Sequence, residues 1–306
     1  MKTFLSLLAM FLTAATPLHA EPPDTNDFLL PSIFASGMVL QRDREIPVWG
    51  WASPGEKITV TFAGKVTRAV AGPDGRWEVA LAAMPSNRKG RILTVKAASG
   101  AKRELDNVVV GDVWLLAGQS NMGIPVSETD GGADAAAQAD YPWLCAFGQW
   151  PFQGASPQRA RDVVGGTWSV CSPFTAGSIS AVGFYFARSL QPSVDVPIGL
   201  VGTAMGGTWI ESWIDSETQA PMKEAEIYRQ MCADPAFPSE GQFRLPGALY
   251  NGKVAPLAPM ALRGVIWYQG EGNASPPLNT VYDTMLTTLI RRWREDFQQP
   301  ELQETR

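Results

Sequence analysis

Three short segments of this sequence hold residue types that together could carry out acyl transfer: GQSNM at 118–122, AMGGTWIESW at 204–213 and YQGEGNA at 268–274. Ester hydrolysis through a serine needs a nucleophilic hydroxyl, hydrogen-bond donors for the tetrahedral oxyanion, and a general base. Ser120 is the candidate nucleophile, because it follows an apolar run and a glycine that lets the backbone turn sharply. Gly206 and Gly207 suit the donor role, since a residue without Cβ lets a backbone N–H approach developing charge. The Gln269 side-chain amide is expected to donate alongside the Ser120 N–H. One such donor is worth on the order of 3 kcal/mol in the transition state. Glu271 and Asn121 are expected just behind these groups, orienting them. Taken singly, each has a plain structural reading: Ser120 as a helix cap, the glycine pair as a turn, Glu271 as a solvated carboxylate. Trp209, Trp213 and Trp267 are either a sugar-stacking wall or core.

The general base is missing from this set. The 306 residues contain one histidine, His19, far from the three segments in sequence. No cysteine or lysine adjoins the motifs, and a carboxyl of ordinary pKa such as that of Glu271 is a poor partner for a serine.

The elements that must position these groups follow from periodicity. Val108 to Gly118 is a run of β-branched and bulky apolar residues, the signature of a parallel strand covered on both faces. Val196–Ala204 and Gly264–Tyr268 are two further apolar strands. Strands alternating with helical segments predict a mostly parallel sheet with helices on its faces. In such sheets ligands bind beyond the carboxyl ends of the strands, where all three motifs fall. Ser180 is a natural N-cap for a helix carrying Ala181, Phe184, Ala187 and Leu190 on one face. A last helix places Leu278, Val281, Tyr282, Met285, Leu289, Trp293 and Phe297 on one stripe, with Arg291, Arg292 and Arg294 on a solvated face and Pro300 beyond. The stretches 130–139, 143–164 and 217–242 show no strong periodicity and read as loops over the carboxyl edge or plain surface loops.

Residues 29–107 differ in pattern. Ile46–Trp51, Lys57–Phe62, Arg76–Leu81 and Arg91–Ala97 read as short strands, and in three of them one face is apolar: Ile58, Val60, Phe62; Trp77, Val79, Leu81; Leu93, Val95, Ala97. Turn signals at Ser53-Pro54-Gly55, Pro73-Asp74-Gly75 and Ser99-Gly100 separate them. This predicts an N-terminal antiparallel β-sandwich region at 29–107, in a supporting role, ahead of an α/β domain at 108–300. Met1–Ala20 reads as a secretory signal, which predicts a protein exported to the periplasm or outside the cell with no transmembrane helix. The net charge of −5 gives no footprint for nucleic acid or an anionic membrane. Cys145, Cys171 and Cys232 match no metal-ligand spacing and allow one disulfide of unspecified pairing. No metal or other cofactor is expected.

The order of the motifs resembles the sialate O-acetylesterase family, a branch of the SGNH (GDSL-like) hydrolases. The likeness rests on LPSIFASGMVLQR at 30–42, PVWGWASPGEKITV at 47–60, DGRWEV at 74–79 and GDVWLLAGQSNM at 111–122. It continues through SAVGFYFAR at 180–188, VPIGLVGTAMGGTWIESW at 196–213, LYNGKVAPLAP at 249–259 and GVIWYQGEGNA at 264–274. The resemblance implies a flavodoxin-like three-layer α/β/α esterase domain with an associated β-sandwich, removing acetyl groups from sugar hydroxyls without a cofactor. Ser120 falls on the family's nucleophile, Gly206 and Gly207 on its glycine motif, and Gln269 where many related hydrolases use an oxyanion-hole asparagine. The family draws its base from a C-terminal Asp-x-x-His-type motif, which these 306 residues do not contain. The chain therefore reads as an esterase by descent whose C-terminal part is missing, with little or no activity of its own. The alternative, from another class, is an inactive carbohydrate-binding protein that keeps the pocket.

Overall fold

The computed structural model describes residues 28–149, 154–234 and 242–305. The N-terminal segment read as a signal lies outside them, and so does His19. The N-terminal strands are β1 (Val39–Gln41), β2 (Ile46–Trp51), β3 (Lys57–Phe62), β4 (Lys65–Val70), β5 (Arg76–Leu81) and β6 (Asn87–Ala97). β2 and β5 pair antiparallel, while β4, β3 and β6 form a second antiparallel sheet. The three predicted apolar faces, Ile58 to Phe62, Trp77 to Leu81 and Leu93 to Ala97, are all buried. β4 escaped prediction because its valines, Val66 and Val70, point outward on an edge strand and supply no inward alternation.

The organising strand is β7 (Lys102–Gly118). Its first half pairs antiparallel with β6, and β1 runs parallel beside Val109 to Gly111. Its second half continues into another sheet between β10 (Ile198–Gly202) and β11 (Gly264–Tyr268), parallel to both. From Val108 onward every residue of β7 is buried, as the unbroken apolar run predicts. The side chains divide between two cores, Val113, Leu115 and Ala117 on one face, Trp114 and Leu116 on the other. The first of these cores continues into Ile58, Val60 and Val95, so the N-terminal strands and the α/β layer share one apolar interior.

After β7 come a single turn of helix, α1 (Ser120–Gly123), then α2 (Gly132–Ala137), β8 (Tyr141–Gln149) and β9 (Gly166–Cys171). α3 (Ala181–Val194) leads into β10; α4 (Ser216–Gln219) and α5 (Lys223–Ala233) follow it. α6 (Tyr282–Asp296) and a short strand β12 (Gln303–Thr305) come after β11. The parallel order is β8-β10-β7-β11-β12, with β9 antiparallel outside β8. β7 is the first of these strands in the chain, and later strands were added on both its sides. In open α/β sheets the strand at which the order reverses is the one beyond whose carboxyl end ligands bind, and here that strand is β7. α3 covers one face through Phe184 and Ala187, and α6 the other through Met285, Leu289 and Trp293.

Two expectations need correction. The stretches 130–139, 143–164 and 217–242, read as loops, contain α2, most of β8 and α5. Their apolar residues are few or interrupted by glycine and proline, so tertiary pairing rather than local pattern decided them. Second, Arg292 is not on a solvated face: it sits 3.1 Å from Asp215 and 2.8 Å from Asp296, joining α6 to the turn before α4. Of the two readings left open for the tryptophans, Trp213 and Trp267 take the core one, packed edge to face with each other at 5.8 Å between ring centroids. Trp209 alone of the three tryptophans is half-buried, under the Arg244 guanidinium. Among the described residues no helix is long and apolar enough to cross a membrane.

Two features of β7 make quantitative expectations. Where it leaves the N-terminal sheet, buried Asp112 receives Arg42 through Nε at 2.9 Å and Nη2 at 3.1 Å, and Gln41 through Nε2 at 3.2 Å. Arg42→Ala strands the buried carboxylate, whereas Asp112→Ala leaves a guanidinium that still reaches Asp43 and water. Arg42→Ala should cost about 3 kcal/mol and Asp112→Ala distinctly less, read by urea unfolding. The reverse order would show that the pair is not the joint described. At the other end Gly118 has φ +140°, and a Cβ there would lie 2.1 Å from the Tyr268 carbonyl oxygen. Gly118→Ala should therefore cost at least about 3 kcal/mol in the same measurement.

Candidate active site

The rim at the carboxyl end of β7 is built on main-chain bonds. The Gln119 N–H donates to Tyr268 O at 2.9 Å, and the Met205 N–H to Gly118 O at 2.9 Å. These fix the end of β7 between the segments that follow β10 and β11. The backbone then turns, and α1 presents Ser120 at its start, exposed to solvent. Met122, fully buried, anchors the turn from below.

Ser180 holds it from the side. Its Oγ accepts from the Gly183 N–H at 3.3 Å, the predicted cap, and also donates to Met122 O at 2.6 Å. One hydroxyl thus starts α3 and secures the turn bearing Ser120. The sequence indicated only the first of these roles.

The glycine motif lies close to Ser120. A Cβ on Gly206 would stand 3.4 Å from Ser120 Cβ and 3.8 Å from its Cα, so a side chain there would pack directly on Ser120. Gly207 is exposed, with φ +68°. Among the described residues the N–H groups of Ser120, Gly206 and Gly207 have no hydrogen-bond partner, and neither has the Ser120 hydroxyl. Unpaired N–H groups beside an exposed hydroxyl are what an oxyanion site consists of before substrate arrives.

Gln269 is placed differently from the expectation. It is buried, and its Nε2 donates to Thr208 O at 3.1 Å and to Asn273 Oδ1 at 2.9 Å. Both N–H groups of its amide are therefore committed to protein acceptors in this arrangement. Tyr282 OH lies 3.0 Å from Gln269 Oε1 and 2.7 Å from its backbone O. Gln269 joins the glycine loop, the 269–273 turn and the start of α6, and offers no open donor to the rim. The sequence signal was the amide itself; which acceptors it meets depends on residues 61 and 4 positions away.

Asn121 and Glu271 do meet: Asn121 Nδ2 donates to Glu271 Oε1. A second tie runs parallel to it, from the Gly272 N–H to Gln119 Oε1 at 3.1 Å. Beneath them Asn273 Nδ2 donates to the carboxylate of Glu211, at 3.0 Å to Oε2. Gln119, Asn273, Glu211 and Tyr282 were not singled out from the sequence, although the first three lie inside the three motifs. Their roles become visible only when the loops are brought together.

The cysteines offer no substitute nucleophile. All three are free thiols, and burial pushes Cys145 and Cys171 up to about 11. Their protons stay on at neutral pH. Among the described residues no group of His, Cys, Asp and Glu could hold a metal ion.

Comparisons with known proteins point the same way as this geometry. The profile of a family described as carbohydrate esterase, sialic acid-specific acetylesterase, matches residues 110–304. The sialate O-acetylesterase of Mus musculus is 30% identical over 88% of this chain and 56% of its own length. That of Homo sapiens is 30% identical over 88% of this chain and 53% of its own. A solved carbohydrate acetylesterase from Xanthomonas citri superposes with a TM-score of 0.79 and 36% identity, covering 91% of this chain and 59% of that one. The chain thus spans little more than half the length of the relatives it matches. With the family profile covering the sheet from β7 to β12 and all three rim segments, this chain belongs to the carbohydrate esterase family of sialic acid-specific acetylesterases.

Proposed function

We propose that the chain carries the nucleophile and oxyanion side of a carbohydrate O-acetylesterase that works through an acyl-serine. The observation that carries this reading is the closeness of the Gly206-Gly207 loop to Ser120, both with N–H groups that no acceptor among the described residues takes, Ser120 being exposed. Ser120 Oγ attacks the acetyl carbonyl carbon, and its proton leaves to a base. The carbonyl oxygen gains the negative charge and is held by the N–H groups of Ser120 and of Gly206 or Gly207. Collapse of this intermediate expels the sugar hydroxyl, and water later releases acetate from Ser120. Gln269 serves the rim by holding the Thr208 carbonyl and Asn273; to donate to the oxyanion it must first give up one of those acceptors. The substrate is an acetylated carbohydrate, and the N-terminal segment directs the chain out of the cytoplasm. Residues 29–107 act as a supporting sandwich for the sheet.

No described side chain accepts the Ser120 proton. In a serine hydrolase the loss of the histidine base alone costs roughly 10⁶ in kcat. The 306 residues by themselves are therefore expected to release acetate from acetylated sugars with little activity, at most the roughly 10³ to 10⁴ over water that an oxyanion site and binding leave without the base. Added imidazole, a small base able to enter an exposed site, should restore turnover in proportion to its concentration. The comparison is acetate release by the wild-type chain and Ser120→Ala, with and without imidazole. Turnover that needs both Ser120 and imidazole supports the reading. Ser120-dependent turnover without imidazole would show a base within the chain, and identical rates for the two proteins throughout would remove Ser120 as nucleophile. Binding of acetylated sugar by calorimetry, with no turnover under any condition, would favour a carbohydrate-binding protein.

A further inference from the structure

Glu211 is fully buried, and among the described residues no Lys, Arg or His lies within ion-pair distance of it. A buried carboxyl without a cation is costly unless its hydrogen bonds are made. Here both oxygens face one group, Asn273 Nδ2, at 3.3 and 3.0 Å.

The orientation of that amide is fixed by chemistry. The Ile210 backbone N–H donates to the other end of Asn273 at 3.0 Å, and since a backbone N–H can only donate, that end is the oxygen. The same oxygen receives Gln269 Nε2, whose second partner, the Thr208 carbonyl, can only accept. Each amide in the chain therefore has one orientation, and Glu211 is the acceptor at its end.

The segments so joined are those that form the rim. Thr208 and Ile210 follow the Gly206-Gly207 pair, and Gln269 and Asn273 flank Gly272, whose N–H holds Gln119 next to Ser120. Contact here is main chain on main chain: a Cβ on Gly272 would lie 2.4 Å from Thr208 O. The backbone oxygen of Glu211 also receives Gln219 Nε2 at 2.7 Å and the Gly247 N–H at 3.0 Å, so its own position is set by two further segments.

We infer that Glu211 is a positioning residue: through Asn273 it keeps the Gly206-Gly207 loop and the 269–273 turn in one register beside Ser120. Its catalytic meaning rests on the acyl-serine reading above. The register itself can be measured without turnover.

Burial pushes the Glu211 carboxyl above the ordinary range, and the Asn273 amide offsets this in part. The titratable groups facing it are Tyr228 and Cys232 of α5, both also raised by burial and uncharged at neutral pH. A carboxyl whose folded pKa exceeds its unfolded value, near 4.5, makes the fold less stable as pH rises between the two, with no further change above. Glu211→Gln removes that loss while keeping one acceptor for Asn273. Its unfolding midpoint should therefore gain on the wild type as pH rises from about 4.5.

The decisive measurement is ¹H–¹⁵N spectroscopy of the labelled chain, followed across pH for wild type, Glu211→Gln and Glu211→Leu. In the wild type the side-chain amides of Asn273 and Gln269 and the backbone signals of Gly206 and Gly207 should titrate together, with one midpoint above the ordinary carboxylate value. Glu211→Gln should abolish that titration and leave the glycine signals near their wild-type positions. Glu211→Leu should displace them at temperatures well below unfolding. If Glu211→Leu lowers only the unfolding temperature and leaves the Gly206, Gly207 and Gln269 signals in place, Glu211 is a core residue and the inference is overturned. Should Glu211→Leu not fold, the wild type and Glu211→Gln decide the matter: a shared titration that survives in Glu211→Gln refutes it. Failure of the acyl-serine reading would show separately, as absent Ser120-dependent turnover with the amide signals behaving as stated.

Discussion

The site depends first on how closely two backbones approach at the ends of β7 and β11. Gly118 lies against the Tyr268 carbonyl with no room for a side chain, and the next N–H, of Gln119, donates to that same oxygen. The end of the strand is thereby fixed before the helix begins, and the hydroxyl of Ser120 is left at the surface instead of within the layer. β7 can hold this position because its two halves belong to two sheets and its side chains enter two cores. A strand so constrained along its length has little freedom at its tip.

Around that tip the protein relies on neutral amides more than on charges. Gln119, Asn121, Gln269 and Asn273 each bridge segments far apart in sequence, and the carboxylates that close the chain, Glu271 and Glu211, are paired with amides rather than with cations. An amide has a donor end and an acceptor end, so a chain of them transmits orientation as well as attraction. Such a chain fixes which way each loop faces as well as how close the loops lie. An ion pair at exposed positions would contribute little.

The family likeness and the geometry differ on Gln269. The resemblance placed it among the oxyanion donors; the structure gives its amide two protein acceptors. The glycine loop then carries the open donors, supplied by main chain that no side-chain substitution can remove. The same economy appears at Ser180, where one hydroxyl both caps a helix and restrains the turn in front of it.

Much of this architecture was legible in the residues. The boundaries of β3 and β5 follow from alternation between apolar and polar positions, and burial of β7 on both faces follows from the absence of alternation. Ser120, Gly206 and Gly207 stood out as candidates because a nucleophile and its donors need particular residue types at strand ends. The outward-facing edge strand β4, the strand β8 hidden in a glycine- and proline-interrupted stretch, and the ionic role of Arg292 were not, because each is decided by a partner distant in the chain. What the sequence determined by itself was the set of chemical groups and the period of the elements that carry them, since both are local properties. Only the tertiary structure decided which amide faces which acceptor, because a hydrogen bond is a relation between two segments and neither segment contains the other.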